Sequence, residues 1–275
     1  MRRKGARRDD ERYDLVVLVC FGRSGSTVLQ RVLNDLPGVE IRGENLGATR
    51  HLFRASAALT EAHHRYAKYR RQRADDPWFG VDRIDPDAVF QSLRHFVVEN
   101  ILQPSPGTSV TGFKEIRYTP SHYEDFAEFL AHLQFLDDLF PGTRYVFNTR
   151  SVETAARSGW WPQTPDALEV LTVADEWFRR APAILDAHFG ATRCLLLDYD
   201  RWSGDPRELV RLAEFVGGTL SIDRASELLA KRLSHARHRR SAPTGGPPVA
   251  GMVRDWSASA PEGAAANRPP RTTSP

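Results

Sequence analysis

Of the 275 residues in this chain, 41% are hydrophobic and 27% are charged, and the formal net charge at pH 7 is +3. A chain of this length and composition can build one substantial α/β core, but not two complete domains with tails. The net charge is too small to favour a nucleic-acid partner. No apolar run approaches the ~20 residues that span a bilayer, so we expect no transmembrane segment.

Two features of the sequence bear on the compartment. Cys20 and Cys194 both fall in apolar strand candidates, which predicts buried free thiols in a reducing compartment. The N-terminus is basic but lacks the apolar segment of a secretory signal. We therefore expect a cytoplasmic protein, while the oligomeric state stays open.

The segment at 15–27, LVVLVCFGRSGST, places a Gly/Ser-rich hexapeptide between an apolar run and an amphipathic helix. Leu15 to Cys20 is predicted to be a buried central strand of a parallel sheet, because neither of its faces is polar. The two glycines let the backbone turn tightly and approach an anion, and Ser26 and Thr27 are predicted to cap the helix. Since the N–H groups at a helix start attract anions, we expect a phosphate here. The predicted phosphate-binding residues are Gly22, Arg23, Ser24, Gly25, Ser26 and Thr27.

This loop differs from the Walker A motif, Gly-x4-Gly-Lys-[Ser/Thr], in which the Lys reaches the β- and γ-phosphates and the hydroxyl binds magnesium. No Lys follows Gly25, and the only cation of the loop is Arg23, at its front. Such a loop suits a single phosphate better than a triphosphate bound with a metal. For the hexapeptide alone, a Gly/Ser turn that binds nothing is the alternative.

Strand and helix patterns alternate along the rest of the chain. Val39–Arg42 is a short strand candidate, and Ser121-x-x-Glu124 matches a capping box that would open a helix ending at Phe140. Residues 47–86 contain no clear strand and are predicted to be a helical insertion that shapes an acceptor pocket. The other predicted elements are strands at 109–113, 144–149 and 193–199 and helices at 87–102, 165–189 and 205–216. This alternation predicts an α/β fold, with a P-loop-like parallel sheet flanked by helices on both faces.

A second candidate site follows the strand predicted at 144–149. Arg150 comes at the strand end, and Ser158 lies eight residues later in SVETAARSGWW, about two helical turns further along if the stretch is helical. A guanidinium at a strand end and a hydroxyl in or beyond a helix can hold a second phosphate from two directions.

Together, GRSGST after one strand and Arg-x7-Ser after a later one resemble the 5′-phosphosulfate loop and the 3′-phosphate site of sulfotransferases that use 3′-phosphoadenosine-5′-phosphosulfate (PAPS). The resemblance extends over about residues 14–217, since CLLLDYDRWSGDPRELVRLAEFVG is similar to the late strand, acidic turn and helix of that family. It is strongest with the bacterial branch that carries Arg-Ser-Gly-Ser-Thr. The C-terminal Arg-Lys-Gly-x-x-Gly loop of many cytosolic members is missing, and only the basic run at 237–240 falls near its place.

The resemblance implies transfer of a sulfuryl group from PAPS to a hydroxyl or amine of a small-molecule or carbohydrate acceptor, with no metal. Within it, the loop at 22–27 holds the 5′-phosphosulfate, and Arg150 and Ser158 hold the 3′-phosphate.

A general property of open α/β sheets points to the same place. Ligands bind beyond the carboxyl ends of the strands. The loop at 22–27, Glu44, Lys114 and Arg150 each follow a different strand candidate at that end. We therefore expect these groups to converge on one crevice.

The predicted chemistry depends on fixed cations. In an in-line transfer, negative charge grows on the leaving phosphate and on the transferring group, so cations contribute more than a nucleophilic side chain. Arg23 and Lys114 are the candidates. Lys114 is one of only four lysines, and bacterial family members have a similar Gly-x-Lys after this strand, although a surface lysine is the alternative.

The acceptor hydroxyl needs a base that takes its proton as the new bond forms. Glu44, in RGEN, resembles the catalytic Gly-Glu of bacterial carbohydrate sulfotransferases. His51 and His122 are the alternatives, since animal members commonly use His, and Glu44 alternatively only holds substrate. Glu115 is predicted to be structural, on the opposite side of its strand from Lys114.

The remaining interpretations stay open. Trp160 and Trp161 pack under the helix, stack on adenine or line the acceptor pocket, and packing is the favoured alternative. The rivals to a sulfotransferase are a metal-dependent P-loop kinase, and a non-enzymatic module that binds a bisphosphorylated nucleotide or polyanion. Around a domain at 13–240 we expect a disordered basic arm at 1–12 and a Pro/Gly/Ala/Ser-rich tail at 241–275, with Met252–Trp256 as the segment able to dock back.

Overall fold

Five apolar runs pair into one parallel sheet in the computed structural model, which describes residues 14–69 and 73–231. The strands are β1 (Asp14–Cys20), β2 (Val39–Arg42), β3 (Val110–Glu115), β4 (Arg144–Thr149) and β5 (Cys194–Asp198), in the order β2-β3-β1-β4-β5. β1 lies between β3 and β4 and is buried from its second residue onward, as predicted for a central strand. The predicted arm at 1–12, the basic run at 237–240 and the tail at 241–275 lie outside the described residues.

Helices connect these strands. The described helices are α1 (Ser26–Leu33), α2 (Ala48–Tyr66), α3 (Pro86–Val97), α4 (Phe126–Leu139), α5 (Val152–Ala156), α6 (Ala167–Phe189), α7 (Tyr199–Trp202), α8 (Arg207–Phe215) and α9 (Ile222–Ala230). Short 3₁₀ turns lie at Val81–Arg83 and Trp161–Gln163, and α3 continues into a π-helical turn at Val98–Leu102.

Both faces of the sheet are covered by helices. Successive side chains of β1 point to opposite faces. Leu15 and Val17 join a core formed with α4 and α6, whereas Val16 and Leu18 join a second core formed with α1, α8 and α9. The predicted α/β fold, with helices on both faces of a parallel sheet, is therefore confirmed. The predicted helical insertion at 47–86 is present as α2 and the 3₁₀ turn that follows it.

Three local predictions were wrong, and two of them concern helix starts. The N-cap of α1 is Gly25, with φ +82° and no side-chain cap, so Ser26 and Thr27 are helical residues rather than caps. The N-cap of α4 is Asp125, whose carboxylate accepts from Glu128 N at 2.8 Å, and not Ser121. Ser121-x-x-Glu124 and Asp125-x-x-Glu128 both match the pattern, and tertiary packing decides between them.

The third correction concerns the stretch after Arg150. α5 ends at Ala156, and Ser158 lies in a turn closed by its N–H donating to Ala155 O at 2.9 Å. The two residues are therefore not joined by one helix of two turns.

Both cysteines are buried and free, as predicted. Burial raises the pKa of Cys20 to about 12. Over the described part of the chain, none of the helices combines the length and apolar character that crossing a bilayer requires.

Candidate active site

The predicted site residues meet at one edge of the sheet. In the parallel register, Lys114 of β3 lies opposite Leu18 of β1, and Asn148 of β4 lies opposite Cys20. The segments that follow β1, β3 and β4 therefore leave the sheet at the same edge, where ligands of open α/β sheets bind.

The loop at 22–27 makes a tight turn from β1 into α1. Arg23 and Gly25 both adopt positive φ, +72° and +82°. A Cβ at Gly25 would lie 2.3 Å from Cδ2 of Tyr199, so glycine is required there for two reasons. The Ser24 hydroxyl is fully buried and donates to Phe21 O at 2.8 Å, so its proton is used within the turn.

Arg150 lies directly against this loop. Its Nη1 donates to Arg23 O at 2.7 Å, and its guanidinium lies 4.4 Å from the centroid of the Tyr199 ring. The Nε atom of Arg150 is buried and has no hydrogen-bond partner among the described residues. Ser158 Oγ accepts from Arg23 Nε at 3.0 Å. The two anion-binding groups predicted from separate parts of the chain are thus in contact.

Lys114 and Glu44 form an ion pair next to the loop. Lys114 Nζ lies 2.5 Å from Glu44 Oε1, and the Lys114 side chain is only 6% exposed while that of Glu44 is 35% exposed. Arg117 Nη1 lies 3.6 Å from the other Glu44 oxygen. The charge of Lys114 also reaches the Cys20 thiol at the end of β1, where it opposes the rise in the pKa of that group. The site therefore has a buried cation and a solvent-accessible carboxylate in direct contact.

Glu115 holds the segment that carries Glu44. Its carboxylate is buried and accepts hydrogen bonds from Asn45 N at 3.1 Å and Gly47 N at 2.8 Å. It also accepts from the backbone N–H groups of Ile116 and Arg117 and from Arg117 Nη1. The Glu115 carboxylate thus fixes the backbone of two segments, which agrees with the predicted structural role.

The alternative bases, His51 and His122, both lie within electrostatic range of Arg50. The pKa of His122 is lowered to about 4, mainly by burial and then by the charges of Arg50 and Arg117. Its imidazole is therefore neutral at neutral pH, and the lowered pKa makes it a weaker base than an ordinary histidine. The pKa of His51 is also lowered, by partial burial and by the charges of Arg50 and Arg54. Both histidines therefore remain alternatives to Glu44 as the base that acts on the acceptor.

Asn148 and Trp202, which hold the loop, were not identified from the sequence, and Trp160 and Trp161, whose role was left open, contact it. Asn148 Nδ2 donates to Ser24 O at 2.7 Å, and Trp202 Nε1 donates to Asn148 Oδ1 at 2.9 Å. Trp161 Nε1 donates to Gly22 O at 2.8 Å, and a Cβ at Gly22 would lie 2.3 Å from the ring of Trp160. The sequence feature that indicates this hydrogen-bond network is the asparagine inside the apolar run RYVFNT, because a buried amide needs hydrogen-bond partners.

The described residues contain no group of three or more His, Cys, Asp or Glu side chains arranged to hold a metal ion. The cations and hydrogen-bond donors described above are the candidate anion-binding groups of the site.

Residues 16–220 match the sequence model of a sulfotransferase family. The chain belongs to this family. No curated protein matches the chain at a significant level.

Three solved structures are similar to parts of this chain. The sulfotransferase domain of an olefin synthase from Synechococcus PCC 7002 shares 20% identity, with a TM-score of 0.44, over 82% of this chain and 80% of that one. A sulfotransferase from Mycobacterium tuberculosis H37Rv shares 18%, with a TM-score of 0.39, over 79% and 70%. A sugar kinase from Janibacter sp. HTCC2649 shares 13%, with a TM-score of 0.33, over 78% and 98%. The family assignment rests on the sequence match over residues 16–220.

Proposed function

We propose that this sulfotransferase uses PAPS as its donor and transfers the sulfuryl group to a hydroxyl or amine of a small-molecule or carbohydrate acceptor. The observation that carries the proposal is the contact between Arg150 and Arg23 O, inside the loop at 22–27. PAPS has phosphate groups at both ends of one nucleoside, so its binding calls for two neighbouring anion-binding groups. A metal-bound triphosphate does not need this pair.

The residues present fit such a donor. The buried Nε of Arg150, which has no hydrogen-bond partner among the described residues, would be satisfied by a phosphate oxygen. At the start of α1, Val28 N–H donates to Gly25 O at 2.9 Å, while the N–H groups that precede it in the helix have no acceptor within α1 and attract an anion. We infer that the loop at 22–27 holds the 5′-phosphosulfate and that Arg150, with Ser158 beside it, holds the 3′-phosphate.

When bound, PAPS supplies an activated sulfuryl group. Arg23 and Lys114 are the cations that we assign to the negative charge developing on the leaving phosphate and the transferring group. Lys114 is the stronger candidate, because its side chain is 6% exposed and a buried charge acts through a medium of lower dielectric constant than water.

Glu44 is the base that we assign to the acceptor. Its carboxylate is 35% exposed, so an acceptor hydroxyl can approach it, and its ion pair with Lys114 fixes the position of one oxygen. Neutral His122 is the alternative base, and Glu44 then holds Lys114 in place. Replacement of Glu44 distinguishes these two roles, as described below.

Calorimetric titration with adenosine 3′,5′-bisphosphate tests the donor site. Arg150→Ala is expected to weaken binding by about 10- to 150-fold, which corresponds to the loss of one charge-assisted hydrogen bond of about 1.5–3 kcal/mol. Arg94→Ala is the matched control, because Arg94 also faces an aromatic ring, at 5.7 Å from the Phe140 centroid, but belongs to α3.

Unchanged affinity in Arg150→Ala would refute the assigned 3′-phosphate site. Binding of ATP with magnesium, in place of the bisphosphate, would favour a kinase. Binding of the bisphosphate without release of it from PAPS, whatever acceptor is supplied, would favour a non-enzymatic module.

A further inference from the structure

Three consecutive carbonyl groups of the loop at 22–27 accept hydrogen bonds from side chains that lie outside it. The pairs are Trp161 Nε1 with Gly22 O at 2.8 Å, Arg150 Nη1 with Arg23 O at 2.7 Å, and Asn148 Nδ2 with Ser24 O at 2.7 Å. All three donors belong to the segment at 148–161, which runs from the end of β4 to the 3₁₀ turn. One side of the loop is therefore fixed through its carbonyl oxygens.

The orientation of Asn148 is itself determined by its neighbours. The side chain is fully buried, and its Oδ1 accepts from Trp202 Nε1 at 2.9 Å. The indole nitrogen only donates, so the oxygen of the amide must face Trp202 and the NH₂ group must face Ser24 O. Asn148 is thus held as a donor to the loop.

Fixing a carbonyl oxygen also fixes the N–H group that follows it. In a trans peptide the C=O and the next N–H point in opposite directions, and no cis peptide bond is present among the described residues. The N–H groups of Arg23, Ser24 and Gly25 are therefore directed away from the three donors. Ser24 N–H closes a turn onto Phe21 O at 3.4 Å, whereas Gly25 N–H has no acceptor among the described residues.

We propose that Trp161 and Asn148 are positioning residues, which orient the peptides of the loop so that backbone N–H groups point toward the bound 5′-phosphosulfate. The inference rests on the proposed function, because it needs an anion at the loop. Prior orientation lowers the cost of ordering the loop when the anion binds, and it makes the N–H groups better donors to developing negative charge. Arg150 connects the two ends of the donor site, because it holds Arg23 O and faces the proposed 3′-phosphate.

Trp161→Phe tests the proposal, because it keeps an aromatic ring and removes the indole donor, and the control below makes the same change in ring size. Trp177→Phe is the matched control, since both tryptophans are 7% exposed but Trp177 packs in the core between α4 and α6. The probes are adenosine 5′-phosphosulfate, which lacks the 3′-phosphate, and adenosine 3′-monophosphate, which lacks the 5′-group. Trp161→Phe is expected to weaken binding of the first probe about 3- to 10-fold and to leave the second unchanged.

Asn148→Asp is the second variant, because its carboxylate cannot donate to Ser24 O. It is expected to weaken binding of the 5′-probe by about 10-fold or more, and Thr149→Val is its control, since Thr149 is equally buried but donates to Leu197 O at 3.2 Å. If this variant does not fold, the result for Trp161→Phe decides.

Two results would overturn the inference while leaving the proposed donor site intact. One is unchanged affinity of Trp161→Phe for the 5′-probe. The other is an equal loss of affinity for both probes, which indicates general destabilisation. Failure of the wild-type protein to bind adenosine 3′,5′-bisphosphate would instead overturn the proposed function itself.

Discussion

The free energy of unfolding of this protein is expected to fall in acid, because protonation of His132 favours the unfolded chain. The side chain, on α4, is 1% exposed, and its Nδ1 lies 2.9 Å from the Tyr123 hydroxyl. Burial lowers the pKa of His132 from 6.5 to about 3, because an imidazolium has little solvation there, and the charge of Arg50 adds to the shift. The folded protein therefore keeps this imidazole neutral over a pH range in which the unfolded chain protonates it.

The sign and size of the effect follow from this difference. The unfolded chain binds a proton at this position near pH 6.5 and the folded chain only near pH 3, so the stability present at higher pH is lost as the pH falls. Between about pH 7.5 and about pH 5, this one group lowers the free energy of unfolding by about 2 kcal/mol.

Urea unfolding of the wild-type protein and of His132→Gln at both pH values measures the difference. Gln does not titrate and can still accept a hydrogen bond from Tyr123, so the variant is expected to lose about 2 kcal/mol less than the wild type. His95→Gln is the control, because His95 is an exposed histidine on α3. An equal loss in the wild type and in His132→Gln would refute the reasoning.

Two further predictions concern the site. Glu44→Gln is expected to lower turnover about 10²- to 10⁴-fold if Glu44 is the base, with affinity for adenosine 3′,5′-bisphosphate nearly unchanged; full activity would assign the base to another group. Gly25→Ala is expected to lower the free energy of unfolding by about 2–5 kcal/mol, as the sum of left-handed strain and displacement of the Tyr199 ring. Gly142→Ala is its control, because Gly142 has φ +97° and a Cβ there meets nothing within 4 Å. Urea unfolding measures the free energy of unfolding of Gly25→Ala and of Gly142→Ala. If the two variants lose the same amount, the contact with the Tyr199 ring contributes nothing.

The strands were predictable because each is a local feature. β2 and β4 occupy the residues expected from their apolar runs, and β1, β3 and β5 differ from expectation by one or two residues at their ends. The C-terminal end of α6 was also predictable from neighbouring residues, since the helix ends at Phe189 as predicted and Gly190, with φ +64°, follows it.

Helix starts were less predictable, because more than one residue can satisfy the same N–H groups. At α1 the cap is a glycine with positive φ, and at α4 Asp125 is used in place of Ser121. Before α4 the chain is placed by a contact distant in sequence, that of the buried Tyr123 with Trp177, and before α1 by the hydrogen bond from Asn148 Nδ2 to Ser24 O.

The sequence by itself determined the alternation of strands and helices, the glycine turn at 22–27 and the residue types suited to two anion-binding groups, since each depends on neighbours along the chain. Only the tertiary structure decided that Arg150 contacts Arg23 O, that Lys114 pairs with Glu44, and that Asn148 and Trp161 face the loop carbonyls. These contacts join residues 70 to 139 positions apart. Sheet order and register, which no local pattern encodes, bring such residues together.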